Sequence, residues 1–186
     1  FHESCNLAGI VDAPVIFLLQ NNQWAISTPR AIQTSGLDFA SRAPSYGFPG
    51  VSVDGNDMFA VHKVVADAVR RGREGKGATL VEAVTYRMGM HTTADDPTRY
   101  VDPAEHEHWG KKDPIDRVQK YLAAKGLWDD IKAGECEAEI RDEVEGAFAA
   151  ADAYVAPSAE AIYEHVFAET SQTLRRQRAE HLGVEG

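Results

Sequence analysis

The sequence has 186 residues, 29 acidic against 19 basic for a formal charge of −10, and 44% hydrophobic side chains. That balance argues against a nucleic-acid-binding or membrane-surface protein, and no apolar run approaches the roughly 20 residues that span a bilayer, so one soluble globular domain is predicted. Cys5 and Cys136 make neither a disulfide framework nor a zinc-type cluster, and they suit a reducing cytoplasm.

Residues 1–9 lack an initiator Met, a basic flank and an apolar signal core. They read as the middle of an amphipathic helix ending at Gly9, so the chain is expected to be the later part of a longer polypeptide. The apolar run at residues 14–19 is too short for a core helix, and its Pro and Asn borders predict a strand buried on both faces of a parallel sheet. A second strand is predicted at Val51-Ser52-Val53. The turn Asp54-Gly55-Asn56-Asp57 follows, with Asp57 placed to cap the next helix. That helix carries Phe59, Val61, Val64, Val65, Ala68 and Val69 at helical spacing and ends near Gly72 in a basic cluster. Residues 79–86 complete a strand, helix, strand alternation, which predicts an α/β fold with parallel strands and right-handed crossovers.

From Arg87 to Trp109 periodicity disappears, and a loop of that length in a compact domain is functional or disordered. Within it His106-Glu107-His108 invites a metal assignment, but Asp102-Pro103-Ala104-Glu105 just before reads as a turn and helix start. Asp113-Pro114 opens a helix through Ile115, Val118, Tyr121 and Leu122 to Gly126, and a later helix aligns Cys136, Ile140, Val144, Phe148 and Ala151 on one stripe. Residues 129–169 hold twelve acids and two bases, a balance of −10, while the remainder is even at seventeen each. This excess reads as a solvated helical face rather than an acidic docking surface. Trp24, Trp109 and Trp128 lack the basic interleaving of a nucleic-acid stacking surface.

Asn21-Asn22-Gln23-Trp24 follows the most hydrophobic strand, where open α/β sheets collect ligands. An Asn carboxamide and a nearby backbone carbonyl offer neutral hard oxygens to a Mg²⁺ shared with phosphates. On its own the Asn pair reads as a turn with left-handed residues. His91, taken alone, is a solvated loop histidine.

Six ordered segments change that reading. Besides Asn21-Asn22 they are Ala25-Ile26-Ser27-Thr28-Pro29, Ser41-Arg42-Ala43-Pro44-Ser45-Tyr46-Gly47, Val53-Asp54-Gly55-Asn56-Asp57, Glu82-Ala83-Val84-Thr85-Tyr86-Arg87-Met88-Gly89, His91-Thr92-Thr93-Ala94-Asp95-Asp96 and residues 109–116. Together they resemble the alpha subunit of the thiamine-diphosphate-dependent 2-oxo acid dehydrogenases, the decarboxylating components acting on pyruvate or branched-chain 2-oxo acids. Asn21-Asn22 then matches the second half of the thiamine-diphosphate motif, whose Gly-Asp-Gly half is expected before residue 1.

The resemblance implies a partial thiamine-diphosphate-binding fold over residues 1–128 and an acidic helical region over residues 129–186 packed on the same domain. It implies that the Asn22 side chain and the Trp24 carbonyl bind Mg²⁺, that Ile26 helps line the cofactor pocket, and that Gln20 stands where several relatives place an Arg against the diphosphate. His91 matches the family's active-site histidine. A histidine titrates near neutrality, so it can donate to an oxyanion or pass a proton during acyl transfer. Arg87, Asp95 and Asp96 are expected to order the loop around it through charge-assisted hydrogen bonds. Thr92 stands where some relatives carry a phosphorylated serine and reads as an ordinary loop residue.

The implied partners are a beta subunit in an alpha2-beta2 heterotetramer, which supplies the glutamate that activates the aminopyrimidine, the lipoyl domain of an acyltransferase core, and a 2-oxo acid. No nucleic acid or membrane is expected. A transketolase-like enzyme acting on sugar phosphates and a non-catalytic assembly subunit stay open as alternatives.

Overall fold

The computed structural model describes residues 1–183, and the chain divides into two compact units, Phe1–Trp128 and a second beginning at Asp129. In the first unit α1 (His2–Ile10) leads into β1 (Ile16–Asn21) and then a short hairpin of β2 (Trp24–Ala25) and β3 (Thr28–Pro29). A 3-10 segment (Ala40–Tyr46) precedes β4 (Gly50–Asp54), α2 (Met58–Arg73) and β5 (Thr79–Val84), and α3 (Pro103–Gly110) and α4 (Pro114–Ala124) close the unit.

Strands β1, β5 and β4 form a parallel sheet in that order, which is the predicted fold class. Register pairs Asn21 and Asp54 with the same residue, Val84, so all three carboxyl ends finish at one edge. β4, α2 and β5 make the expected crossover, and the Asp57 carboxylate caps α2 by accepting from the N–H groups of Phe59 and Ala60 at 3.0 Å each. Arg117 of α4 reaches back to this turn, with a fork that donates to Asp54 at 2.9 Å and Asp57 at 3.0 Å.

Two expectations are corrected. β1 is not buried on both faces, since its Leu18 is 54% exposed. β5 is the strand buried on both faces, because it lies between the other two; an apolar run shows that a strand is buried but not which strand is central. The stretch from Arg87 to Trp109 is not all loop. Asp102 accepts from the Ala104 N–H at 2.8 Å and starts α3 with Pro103 at its first position, so the helix signal at Asp102-Pro103 prevails over the polar composition around it.

The core gathers Cys5 and Ala8 of α1, Ala43, Phe48, Ala78 and Leu80, with Phe17, Leu19 and Tyr46 packed against it. Burial pushes the Cys5 thiol up, so this cysteine serves packing, not nucleophilic chemistry. The second unit holds α5 (Asp130–Asp152), α6 (Ala161–Glu164) and α7 (Gln172–Leu182). The predicted stripe does lie on α5, but Ile140, Val144 and Phe148 are all exposed. Among the described residues no helix is long and apolar enough to cross a membrane.

Gly50 at the start of β4 lets the 3-10 segment lie directly on the strand. A Cβ on Gly50 would collide with the Ala40 carbonyl, so Gly50→Ala forces two backbones apart. In the full-length chain this substitution is expected to destabilise by about 1–3 kcal/mol in chemical denaturation, and an unchanged midpoint would contradict the packing described.

Candidate functional site

The aligned carboxyl ends of the strands put Asn21 and Asn22 at the edge where parallel sheets receive ligands. Asn21 is buried and points inward: its Nδ2 donates to Glu82 Oε1 at 2.7 Å, and its Oδ1 accepts from the Gln23 N–H at 3.2 Å. Asn22 is half-buried, and its Oδ1 accepts from the Trp24 N–H at 3.0 Å, leaving a second lone pair on that oxygen. The turn places two non-glycine residues in the left-handed region, Gln23 at φ 69° and Ile26 at φ 55°. For a β-branched residue such as Ile26 that conformation costs on the order of 1–3 kcal/mol and concentrates at functional sites.

The hairpin decides what the Trp24 carbonyl can do. Arg30 N–H donates to the Gln23 carbonyl at 2.8 Å, so the next pair, Trp24 with Pro29, falls in the non-hydrogen-bonded register of the ladder. Pro29 has no N–H to offer in any case, and the Trp24 carbonyl faces away from β3. One turn thus presents two neutral hard oxygens, the Asn22 carboxamide and the Trp24 carbonyl. This donor set fits a Mg²⁺ that takes its other ligands from phosphates, water and an acid elsewhere. Among the described residues no three His, Cys, Asp or Glu side chains converge on a metal. Gln20, Asn22, Trp24, Arg30, Gln33 and Phe39 line a pocket of about 160 Å³ beside the turn. The Arg30 Nε–H has no partner among the described residues.

The loop after β5 is tied back to the same turn. Arg87 donates through Nη2 to the Ile26 carbonyl at 2.6 Å and to the Tyr100 hydroxyl at 2.8 Å, which in turn donates to Asp95 Oδ2 at 2.6 Å. The same Asp95 oxygen accepts the His91 backbone N–H at 2.8 Å. Arg87 and Asp95 are therefore linked through Tyr100 instead of pairing directly. Asp96 makes a separate contact, capping the 3-10 turn Pro97–Arg99 by accepting from Thr98. The Thr92 carbonyl accepts the Asp95 N–H at 3.1 Å, closing the loop's tip. The His91 side chain is exposed, and its imidazole has no hydrogen-bond partner among the described residues. Rings complete the connection: Trp24 packs on Tyr100 at 5.1 Å and edge-on to Tyr86 at 6.3 Å, and Tyr86 stacks on Trp109 at 5.4 Å. Burial pushes the Tyr86 hydroxyl up, with the Trp24 indole acting against it.

Of the residues singled out from sequence, Gln20, Asn22 and Trp24 share one pocket, while Ile26 touches the loop through its carbonyl and leaves its side chain exposed. Glu82 and Tyr100 were not singled out. A glutamate inside the apolar run of β5 was the available signal for the first; the second had none, since only folding brings Tyr100 between Arg87 and Asp95.

A model of the family described as dehydrogenase E1 component matches residues 1–160. The chain is 44% identical over 184 residues to the 3-methyl-2-oxobutanoate dehydrogenase subunit alpha of Mycobacterium tuberculosis, covering 95% of this chain and 48% of that protein. It is 42% identical over 178 residues to a pyruvate dehydrogenase E1 component subunit alpha of Staphylococcus epidermidis, covering 95% and 48%. The corresponding subunit of Acholeplasma laidlawii is 41% identical over 183 residues, covering 97% and 53%. The chain spans about half the length of the curated relatives it matches.

The His91 N–H, then the Tyr100 hydroxyl, hold the Asp95 carboxyl below its usual range. A lowered folded value means that its tie on the loop is complete above the ordinary aspartate range and is lost as pH falls through the folded value. Tyr100→Phe removes the hydroxyl bridging Arg87 to Asp95. Amides of residues 88–96 are expected to exchange hydrogen roughly fivefold faster at neutral pH, with β5 unaffected; equal protection would rule the bridge out as the loop's tie.

Proposed function

Because the chain belongs to the dehydrogenase E1 component family, we propose that it forms part of the alpha subunit of a thiamine-diphosphate-dependent 2-oxo acid dehydrogenase. The observation that carries this reading is the turn at Asn22–Trp24, where two neutral oxygens are aimed outward from the carboxyl edge of a parallel sheet. The family match and the alpha-subunit relatives favour it over a transketolase-like enzyme or a non-catalytic assembly subunit. The relatives' names cover a branched and an unbranched 2-oxo acid, so the proposed substrate is that class.

The cofactor, when bound, supplies the nucleophilic carbon and the electron sink for decarboxylation. The protein's own residues hold and orient. Asn22 and Trp24 give oxygens to Mg²⁺, which neutralises the diphosphate, and Gln20, exposed at the end of β1, offers it a neutral amide. His91, held by its main chain to Asp95, presents a free imidazole that donates or relays a proton at the substrate carbonyl or the lipoyl sulfur. Arg87, Asp95 and Asp96 keep its loop in shape. Residues 1–128 are proposed to be the later part of the cofactor-binding domain, with an acidic helical region from residue 129.

The proposed assembly is an alpha2-beta2 heterotetramer. The beta subunit completes each site, and the acyl group passes to a lipoyl domain of the acyltransferase core. A cytoplasmic location accords with two free cysteines.

Asn22→Ala in the assembled enzyme removes a direct metal ligand. Loss of an outer-shell partner alone weakens a site roughly 10–100-fold, so a loss of at least about 100-fold in Mg²⁺-dependent thiamine diphosphate affinity is expected by calorimetry. Unchanged affinity would sink the assignment.

A further inference from the structure

Glu82 is 1% exposed in the central strand, and three donors meet its carboxylate. Oε2 accepts the backbone N–H of Phe39 at 2.8 Å and of Ala40 at 3.0 Å, and Oε1 accepts Asn21 Nδ2 at 2.7 Å. As the carboxylate, Glu82 offers acceptors to all three donors, and the Asn21 amide is oriented to match: nitrogen toward Glu82, oxygen toward the Gln23 N–H. Donors therefore close the chain at both ends, Phe39 and Ala40 at one and Gln23 at the other, and no flip of Asn21 relieves an error in it. Gln23 holds the left-handed φ of 69° that turns the Trp24 N–H onto Asn22 Oδ1. The backbone that receives Glu82 also carries Phe39, which lines the pocket beside Asn22.

We propose that Glu82 is a positioning residue of the cation site, acting through Asn21 to set the Gln23 turn that aims the Asn22 carboxamide and the Trp24 carbonyl. A merely structural carboxylate would stabilise the sheet without setting metal affinity. A partner that fixes the turn carrying two ligands, through Asn21 and the Gln23 N–H, instead acts on an ion it never touches. The inference rests on the reading of Asn22 and Trp24 as Mg²⁺ ligands.

The hydrogen-bond polarity supplies a test by exchange. In Glu82→Gln the side-chain oxygen still serves Phe39 and Ala40, but its new N–H₂ faces the Asn21 N–H₂. If Asn21 flips to accept, its own N–H₂ then opposes the Gln23 N–H, so one bond is lost either way. Asn21→Asp alone sets two carboxylates against each other. The double variant E82Q/N21D restores every bond: the amide of residue 82 donates to the carboxylate of residue 21, whose other oxygen accepts the Gln23 N–H.

In the assembled enzyme, thiamine diphosphate binding is titrated with Mg²⁺ by calorimetry, with thermal midpoints recorded alongside. Each single variant is expected to raise the Mg²⁺ concentration for half-saturation roughly 10–100-fold, with recovery to within about threefold of the parent in the double variant. Parent-like Mg²⁺ dependence in folded single variants overturns the proposal, as does a double variant that folds but stays weak. If Glu82→Gln does not fold, Asn21→Ala leaves both backbone bonds to Glu82 intact and is expected to give the same rise; an unchanged Mg²⁺ requirement there also overturns it. A parent enzyme without Mg²⁺-dependent binding fails the functional reading itself, an outcome distinct from variants that match a binding-competent parent.

Discussion

A carboxylate in the central strand of a parallel sheet is a costly thing to bury unless its lone pairs are met by donors that cannot move away. Glu82 meets that condition with two backbone N–H groups from the start of the 3-10 segment and one amide from the end of β1. The side chain thereby joins three segments far apart in sequence at the carboxyl edge of the sheet. Elsewhere the core is apolar, with Ala8, Ala43 and Ala78 packed among Phe48, Leu80, Phe17 and Leu19, contacts that impose little direction. The directional constraint is the buried polar chain through Glu82, Asn21 and Gln23, and the shape of the following turn depends on it.

That turn does two things at once. Its left-handed Gln23 brings the Trp24 N–H onto the Asn22 carboxamide, and the carbonyl of the left-handed Ile26 is secured by the Arg87 guanidinium. Arg87 also reaches Tyr100, so the geometry of the turn and that of the His91 loop are set by one cation. Trp24 repeats the connection with apolar surface, its ring lying against Tyr86 and Tyr100 while its main chain offers the oxygen. A loop of this length, polar and mostly exposed, would otherwise have little to hold it. Here it is anchored at the residues next to its proposed chemistry and left open at His91 itself.

Net charge is distributed by a different logic. The acidic excess falls in residues 129–169, and among the described residues none of the helices α5, α6 and α7 carries a buried residue. Self-repulsion among these acids is tolerable because the groups stay in water, where screening is strong. The first unit, nearly balanced in sign, directs its charges to specific contacts: Arg117 on the β4–α2 turn, Arg87 on the loop, Glu82 within the sheet.

Local patterns determined much of this protein. Apolar runs bounded by Pro and Asn, the capping residues Asp57, Asp102 and Asp113, and the Pro positions after the last two mark strands and helix starts because those signals act between residues close in sequence. The Asn pair at the end of β1 and the polar loop with His91 also mark the region of the proposed site, since residue type and position at a strand end suffice to propose it. Tertiary structure decided which strand is central, and therefore that Glu82 and not Leu18 is enclosed, because strand order follows from long-range pairing that no short window contains. It also decided that Tyr100 stands between Arg87 and Asp95, and that Asn21 turns inward while Asn22 turns out. Asn21 closes β1 and meets Glu82 of the neighbouring strand, while Asn22 lies just past the strand and bonds its own turn, so two identical side chains acquired two different tasks that only the packed sheet settled.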